Sequence, residues 1–512
     1  MPPARLIPKK QNTSPYRDKL EDMTNNHCHD ECELLIHLAD RMGASTGKGE
    51  LLLQAWHDRA NALRISPQLE SLQGEQELEK LSLELRTEWL RHANAISSRY
   101  MKSPPHFQTV RLPSGDKSPF PYDRWNTPVH IEQRAATYHK SPPGWTADHL
   151  LFNSGMGAIS CLLQVIRKLY QPGAGAALQL HGVGGYFEIM DLMKATDDDL
   201  FRFEIFPEQQ QLQDSVTSAN SQLLYVEPVY TRDGSLEVFD MEGFLRAWQK
   251  RPGNTPTVII LDTTFVGNSF PVNQFIERLS PHKPQAVIQI SSTLKLDQEG
   301  LEFSNAGLMS LFSEKEPVIK GIAARLRKFR AMTGLGLTLE QIAALDYPGF
   351  LDRNYCERHS NAVFANNARL ALNIDAGPGM LFIGKYHPAL QKYPSRNWAV
   401  APFVNLQLEP DTDKHDRELL KHVLFKEARL RGLSFRPGSS FGFRAHRVET
   451  SIQNEQGTQV IRVAMGCRKG PSVEGTIQLL NDISRMKSFA VVREQYPELV
   501  ETVRKFSEQK QT

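Results

Sequence analysis

Apolar residues recur along this chain in two rhythms. From about residue 31 to 100 the rhythm is helical: Leu78, Leu81, Leu85, Trp89, Ala93 and Ile96 fall three and four apart, on one face. Glu33–Met42 and Glu50–Ile65 read as two more helices, with Gly43 and Gly47 between them as breakers. Residues 1–26 are polar, rich in Lys, Pro and Asn, and are expected to be loosely ordered. Residues 103–145 are rich in proline and turn residues and read as an extended connector with one short helix near Ile131–His139. The rhythm then changes. Asn153–Tyr170 opens with a glycine-containing turn and continues as an apolar helix. Short continuous apolar runs follow at Ala177–Leu180, Leu223–Val226, Val258–Leu261 and Ala286–Ile290, separated by helical or loop stretches. Such runs alternating with helices predict an α/β fold around a mostly parallel sheet covered on both faces. A long helix is predicted over about 350–373, leading into a second α+β region with strands near Val400–Leu408 and Val460–Met465. Three units are therefore expected: a helical N-terminal extension (1–100), a large domain with its connector (101–335) and a smaller C-terminal domain (336–512).

Composition narrows the function classes. Hydrophobic content of 40% and charged content of 23% are those of an ordinary globular enzyme. The formal charge of +2 gives no reason to expect nucleic acid or an anionic membrane as a partner. No apolar run approaches the roughly 18 residues a membrane span needs. Met1–Arg5 lacks the apolar core of a secretory signal, and the five cysteines are scattered and odd in number, so a reducing cytoplasm is the expected location.

Four pieces carry chemistry. Asn153-Ser154-Gly155-Met156-Gly157-Ala158 precedes an apolar helix, where small residues, free amides and the helix dipole favour a phosphate. Asp262 follows Val258–Leu261, at the end of a strand where open α/β sheets bind their ligands. Lys295, in Ser292-Thr293-Leu294-Lys295, ends the next strand region 33 residues on. An acid here and an amine there suit pyridoxal phosphate (PLP): the carboxylate keeps the ring nitrogen protonated and the amine forms an imine with the aldehyde. Arg462 lies inside Val460–Gly466; a charge in an apolar strand needs a partner, and a guanidinium matches a substrate carboxylate. Taken singly, each has an ordinary counterpart: a capped helix, a capping Asp, a surface lysine, a structural ion pair.

In order and approximate spacing these pieces resemble the fold type I PLP enzymes, and most closely the cysteine/methionine-metabolism family of cystathionine synthases and lyases and methionine gamma-lyase. The resemblance covers roughly residues 120–490. It rests on Ser154–Ile159, Tyr122-Asp123-Arg124 with Asn126-Thr127-Pro128, Glu227-Pro228, Asp262-Thr263-Thr264-Phe265, Ser292-x-x-Lys295, Ser440-Phe441-Gly442 and Arg462. It implies a seven-stranded, mostly parallel large-domain sheet. It further implies PLP held by Ser154, Gly155, Met156, Glu227, Asp262, Thr264, Ser292 and Lys295, and by Tyr122 and Arg124 reaching across a homodimer or dimer-of-dimers interface. Ser440 and Arg462 are implied to bind the carboxylate of a small-molecule amino-acid substrate. Lys295 is implied to be the general base of elimination or replacement at Cβ or Cγ, with a second, nucleophilic substrate in the replacement case and carbon–carbon bond formation in specialised metabolism within reach. Transamination is the alternative.

The chain departs from that family where the cofactor ring would lie. Val183 stands where a ring-stacking tyrosine precedes Gly184-Gly185, so Tyr186 (or His181) is expected to supply the ring contact. Thr231 is nearest in register to a missing Asn, and Leu294 replaces a Thr before the lysine. The departures point to a divergent enzyme. A PLP-fold transcription regulator with a helical DNA-binding module is a further class, but residues 1–100 hold 13 Lys/Arg against 15 Asp/Glu, a net 13 − 15 = −2. His27, Cys28, His29, Cys32 and His37 are spaced like metal ligands, yet no second Cys/His pair completes a site, and no metal is expected.

Overall fold

The computed structural model describes residues 27–46, 53–169, 177–252, 257–280, 282–391, 396–452 and 458–509. Gly47 and the N-terminal 26 residues, for which expectations were stated, lie outside them. Three helices come first: α1 (His27–Ser45), α2 (Gln54–Arg64) and α3 (Leu72–Ser97). On α3 all six residues of the apolar stripe are buried, and the Ser71 hydroxyl caps the helix by accepting from the Gly74 amide. Gly43 does not break α1, which runs through it to Ser45. The cost of one helical glycine is about 1 kcal/mol. Burial of Cys28, Cys32, Leu35, Leu38, Ala39 and Met42 along one face outweighs it. Cys28 and Cys32 do share a helix face, but it is this packed one, where the Cys32 thiol meets the Ala60 carbonyl at 3.5 Å.

The connector is more structured than its proline content implies. It holds a hairpin of β1 (Gln108–Arg111) and β2 (Lys117–Phe120) before the helix Val129–Tyr138. The large sheet is then built from β3 (Thr146–Phe152), β4 (Leu178–Val183), β5 (Phe201–Ile205) and β6 (Leu223–Val226). A hairpin of β7 (Val229–Arg232) and β8 (Ser235–Val238) intervenes, and β9 (Val258–Asp262), β10 (Ala286–Ser292) and β11 (Gly307–Ser313) complete it. Its order is β3-β11-β10-β9-β6-β4-β5, and only β11 runs antiparallel to its neighbours. The expected seven-stranded, mostly parallel sheet is present. The four apolar runs correspond to β4, β6, β9 and β10; β3, β5 and β11 were not singled out from the sequence. The chain leaves β4 toward β5 on one side and returns to β6 on the other, which makes a crevice at the carboxyl ends of β4 and β6.

A second sheet holds β12 (Gly384–Tyr386), β13 (Val404–Gln407), β14 (Phe435–Pro437), β15 (His446–Ile452) and β16 (Gln459–Ala464) in the order β12-β13-β16-β15-β14. The helix Arg353–Asn373 leads into it, where a helix was predicted over 350–373. The N-terminal helices are fastened to both sheets' surroundings. Trp89 donates its indole N–H to the Ala344 carbonyl at 2.8 Å, and Glu79 pairs with Arg436 and Arg468. Glu31 of α1 pairs with Arg444, both nearly buried. Trp89 is fully buried, and Trp89→Ala should lower stability by about 3–5 kcal/mol, read as a fall in the urea midpoint of unfolding.

Candidate active site

The carboxyl ends of β3, β4, β6, β9 and β10 open into a cavity of about 630 Å³. The parallel arrangement forces this convergence: each βα turn leaves the sheet at the same edge. Ser154, Gly155 and Met156 enter from the turn after β3, at the start of the helix Gly155–Leu169. The Ser154 hydroxyl accepts from the Gly157 amide at 2.9 Å. The amides of Gly155 and Met156 remain as donors toward an anion at this helix start.

Asp262 ends β9 with its side chain in the cavity wall. Its carboxylate accepts from the Thr264 amide at 2.9 Å, and the Thr264 hydroxyl accepts from the Ser292 amide at 3.1 Å. That chain of bonds ties the turn after β9 to the turn carrying Lys295. Burial raises the Asp262 carboxyl above the ordinary range, which the Thr264 and Tyr225 hydrogen bonds partly offset. Glu227, directly after β6, is buried beside it and is raised by burial and by Asp262 itself. Tyr225 donates to Glu227 Oε1 at 2.7 Å, and the same oxygen accepts the Tyr186 amide at 2.8 Å.

The Lys295 ammonium reaches into the cavity and donates to the Ser440 hydroxyl. It lies 5.8 Å from the ring centres of Phe441 and Phe443. Burial lowers its pKa, and the Arg447 guanidinium lowers it further. The loop bearing Ser440 is pressed against the lysine's own backbone. At Gly442 (φ +78°) a Cβ would stand 1.9 Å from the Lys295 carbonyl oxygen, so only glycine fits. Arg462 faces Ser440 from β16 and stacks on Phe403, 4.2 Å from the ring centre. Its Nε is buried without a hydrogen-bond partner, and burial pushes its pKa down to about 10. The Thr231 hydroxyl, also on the cavity wall, is likewise unpartnered.

The structure thus brings eleven of the thirteen residues singled out from the sequence to one cavity: Ser154, Gly155, Met156, Tyr186, Glu227, Asp262, Thr264, Ser292, Lys295, Ser440 and Arg462. Tyr122 and Arg124 are not on its wall; the Arg124 guanidinium sits 5.3 Å from the centre of the Tyr122 ring, exposed. Of the two candidates for a ring contact, Tyr186 is on the wall and His181 is not. The His181 ring turns away to the Ser215 hydroxyl at 2.5 Å, because a strand alternates its side chains and this position faces the helix Gln209–Ser218. Phe187, Glu188 and Tyr225 escaped the sequence reading. The i, i+2 spacing of Tyr225 and Glu227, on one strand face, was the available signal for the last.

No family model matches this chain, and no curated sequence does. Solved structures do match. Cystathionine gamma-lyase from yeast aligns over 71% of this chain and 88% of that one, at 12% identity and a TM-score of 0.51. The metB protein of Corynebacterium glutamicum aligns over 71% and 87%, at 15% identity and a TM-score of 0.51. A methionine gamma lyase from Micromonospora echinospora, CalE6, aligns over 72% and 89%, at 16% identity and a TM-score of 0.49. The chain has the fold of cystathionine gamma-lyase. The expected fold type I architecture is therefore present, with 29% of the chain (100 − 71) outside the match to the yeast structure. At such identity the match speaks for the fold, and the chemistry has to be argued from the cavity.

The lysine's environment makes a direct prediction. Because burial and Arg447 both disfavour the ammonium, the Lys295 amine should titrate below the ordinary 10.5. Arg447→Ala should move that midpoint upward. Labelling with an amine-directed reagent across pH, read by peptide mass, measures both.

Proposed function

We propose that this protein is a PLP-dependent enzyme that eliminates or replaces a group at Cβ or Cγ of an amino-acid substrate. The observation that carries the reading is the pairing of Lys295 and Asp262 in one cavity, from the ends of adjacent parallel strands in register (Ile290 opposite Asp262). The residues fit the cofactor. An anion-binding helix start, a buried carboxyl for a ring nitrogen and a lysine of lowered pKa line the same space, and the buried Arg462 Nε and Thr231 hydroxyl lack partners within the protein. When bound, PLP supplies an electron sink conjugated to the substrate's α-carbon.

The chain's own groups do the rest. The amides of Gly155 and Met156, with Ser154, hold the phosphate. Asp262 neutralises the ring nitrogen's positive charge. Arg462 and Ser440 bind the substrate carboxylate, which fixes the α-carbon near Lys295. The Lys295 amine takes the Cα proton, and its lowered pKa keeps an uncharged fraction available for that transfer. The Tyr186 hydroxyl, at the cavity wall, is suited to proton transfer at a departing group. Ser292 and Thr264 brace the lysine turn against the Asp262 turn. Two copies of the chain form the working unit, with Tyr122 and Arg124 serving the partner's phosphate site; their absence from the wall of their own cavity supports this arrangement.

Three experiments test the reading. Purified protein supplied with PLP should absorb near the visible edge, and Lys295→Ala should lose that absorbance and resist borohydride trapping. Retained absorbance would refute the assignment. Wild type should release ammonia and a 2-oxo acid from a suitable amino acid with no amino acceptor present; a strict requirement for an acceptor would mark transamination instead. Shared sites predict that inactive Arg124→Ala and inactive Lys295→Ala chains, mixed as hybrid dimers, recover activity. Mixtures as dead as their parents would count against a dimeric site.

A further inference from the structure

Five acidic and basic side chains line the cavity: Glu188, Glu227, Asp262, Lys295 and Arg462. Four of them have protein partners. Glu227 accepts from Tyr225 and from the Tyr186 amide, and Asp262 accepts from the Thr264 amide. Lys295 donates to Ser440, and Arg462 reaches the Ser439 carbonyl at 3.5 Å. Among the described residues, Glu188 has neither a hydrogen bond nor an ion pair, and the chemistry proposed above gives it no task. Its charge is nevertheless felt inside the cavity, at the Lys295 amine and at the Tyr186 hydroxyl.

A tight turn sets Glu188 in this place. β4 ends at Val183, and Gly184 (φ +88°) and Gly185 (φ +134°) follow in conformations that a side chain rarely allows. The turn is pressed onto Glu227: a Cβ on Gly184 would stand 2.7 Å from the Glu227 Cβ. Glu227 in turn holds the Tyr186 amide at 2.8 Å, and the buried Ile189 anchors the helix Phe187–Thr196 that follows. Tyr186, Phe187 and Glu188 are thereby presented together on the cavity wall. The rings of Tyr186 and Phe187 have centres 4.6 Å apart, and Phe187 is 64% exposed. An acid suits a helix start through the dipole. That accounts for a carboxylate in this turn, but not for two aromatic rings left open beside it on a cavity wall.

A carboxylate next to open aromatic faces is the chemistry that recognises an ammonium or guanidinium. The acid supplies charge-assisted hydrogen bonds, and the rings supply cation–π contact. We propose that Glu188 is a specificity-determining residue that receives a cationic group on the part of the substrate beyond Cβ. The inference rests on the function proposed above and names the substrate class for it. With the α-carboxylate on Arg462 and Ser440 and the α-carbon near Lys295, the departing substituent points to Tyr186. Glu188 lies two residues further along the same wall. The substrate's α-amine is engaged at the Lys295 end, so the group meeting Glu188 is a second cation, carried by the substituent. An anionic substituent is repelled from the same place.

Two nearly isosteric probes separate charge from shape: S-(2-aminoethyl)-L-cysteine and S-carboxymethyl-L-cysteine, which carry opposite charges at the end of the substituent. Their dissociation constants are measured by calorimetry on the full-length, PLP-supplied protein carrying Lys295→Ala, so that neither is consumed. With Glu188 present, the aminoethyl compound should bind at least about fivefold more tightly, the reach of one partly exposed charge. Glu188→Gln should remove the preference, and Glu188→Arg should reverse it. A structural role for Glu188 would weaken both probes alike and leave their ratio unchanged. Equal binding, a preference for the carboxymethyl compound, a ratio unmoved by Glu188→Gln, or no binding of either probe overturns the proposal. The readout is affinity and does not need turnover. A charge preference that follows Glu188, in a protein whose wild type neither absorbs near the visible edge nor releases ammonia, leaves the selectivity standing and sinks the reaction. The converse result sinks the selectivity alone.

Discussion

Everything in the cavity depends on the burial of opposite charges at the ends of neighbouring parallel strands. An acid and an amine in water would be unremarkable surface groups, each near its ordinary pKa. Carried to the edge of a sheet covered on both faces, they lose their hydration, and burial drives the Asp262 carboxyl up and the Lys295 amine down. Both shifts oppose ionisation. The two side chains are thereby left with little solvent to stabilise their charges. The same holds for Arg462, which keeps a buried Nε without a protein partner. Sheet topology supplies the geometry and dehydration supplies the reactivity.

The second sheet supplies Arg462 to the cavity directly, and the N-terminal helices are tied to the loop that carries Ser440. Ser440 meets Lys295, and the Gly442 carbonyl accepts from the His359 ring at 2.9 Å. Two residues further on, Arg444 is pinned to Glu31 of the first helix. The polar face of the N-terminal helices is thus spent on arginines of the same chain. This accounts for their acidic character in physical terms: Glu31 and Glu79 neutralise guanidinium groups that would otherwise be buried unpaired.

Legibility in the sequence followed how local the signal was. The stripe from Leu78 to Ile96 was readable because burial and helical period coincide over about five turns. The runs Val258–Leu261 and Ala286–Ile290 were readable because strands buried on both faces are continuously apolar. β5 was not, since its Phe-Arg-Phe-Glu-Ile alternates like an edge strand, and β11 was hidden in a stretch with no flanking motif. Gly43 misled because propensity was outweighed by packing that sequence spacing does not weigh. At the site, residues in βα turns came from motif and spacing. Their mutual contacts did not: the turning away of His181 follows from strand parity, and the placing of Glu227 beside Asp262 follows from the register of β6 against β9. Register is a property of pairing, and pairing is absent from a single strand's pattern.

The Glu31–Arg444 bond joins residues 413 positions apart. Loop closure over such a separation comes late, because little is gained from the contact until most of the intervening chain is already compact. A ribosome releasing this protein has exposed its first helix long before the segment around Arg444 leaves the exit tunnel. Lys295 is therefore made well ahead of the loop that covers it, and that loop is held in place only once the helix carrying Glu31 packs against Arg444.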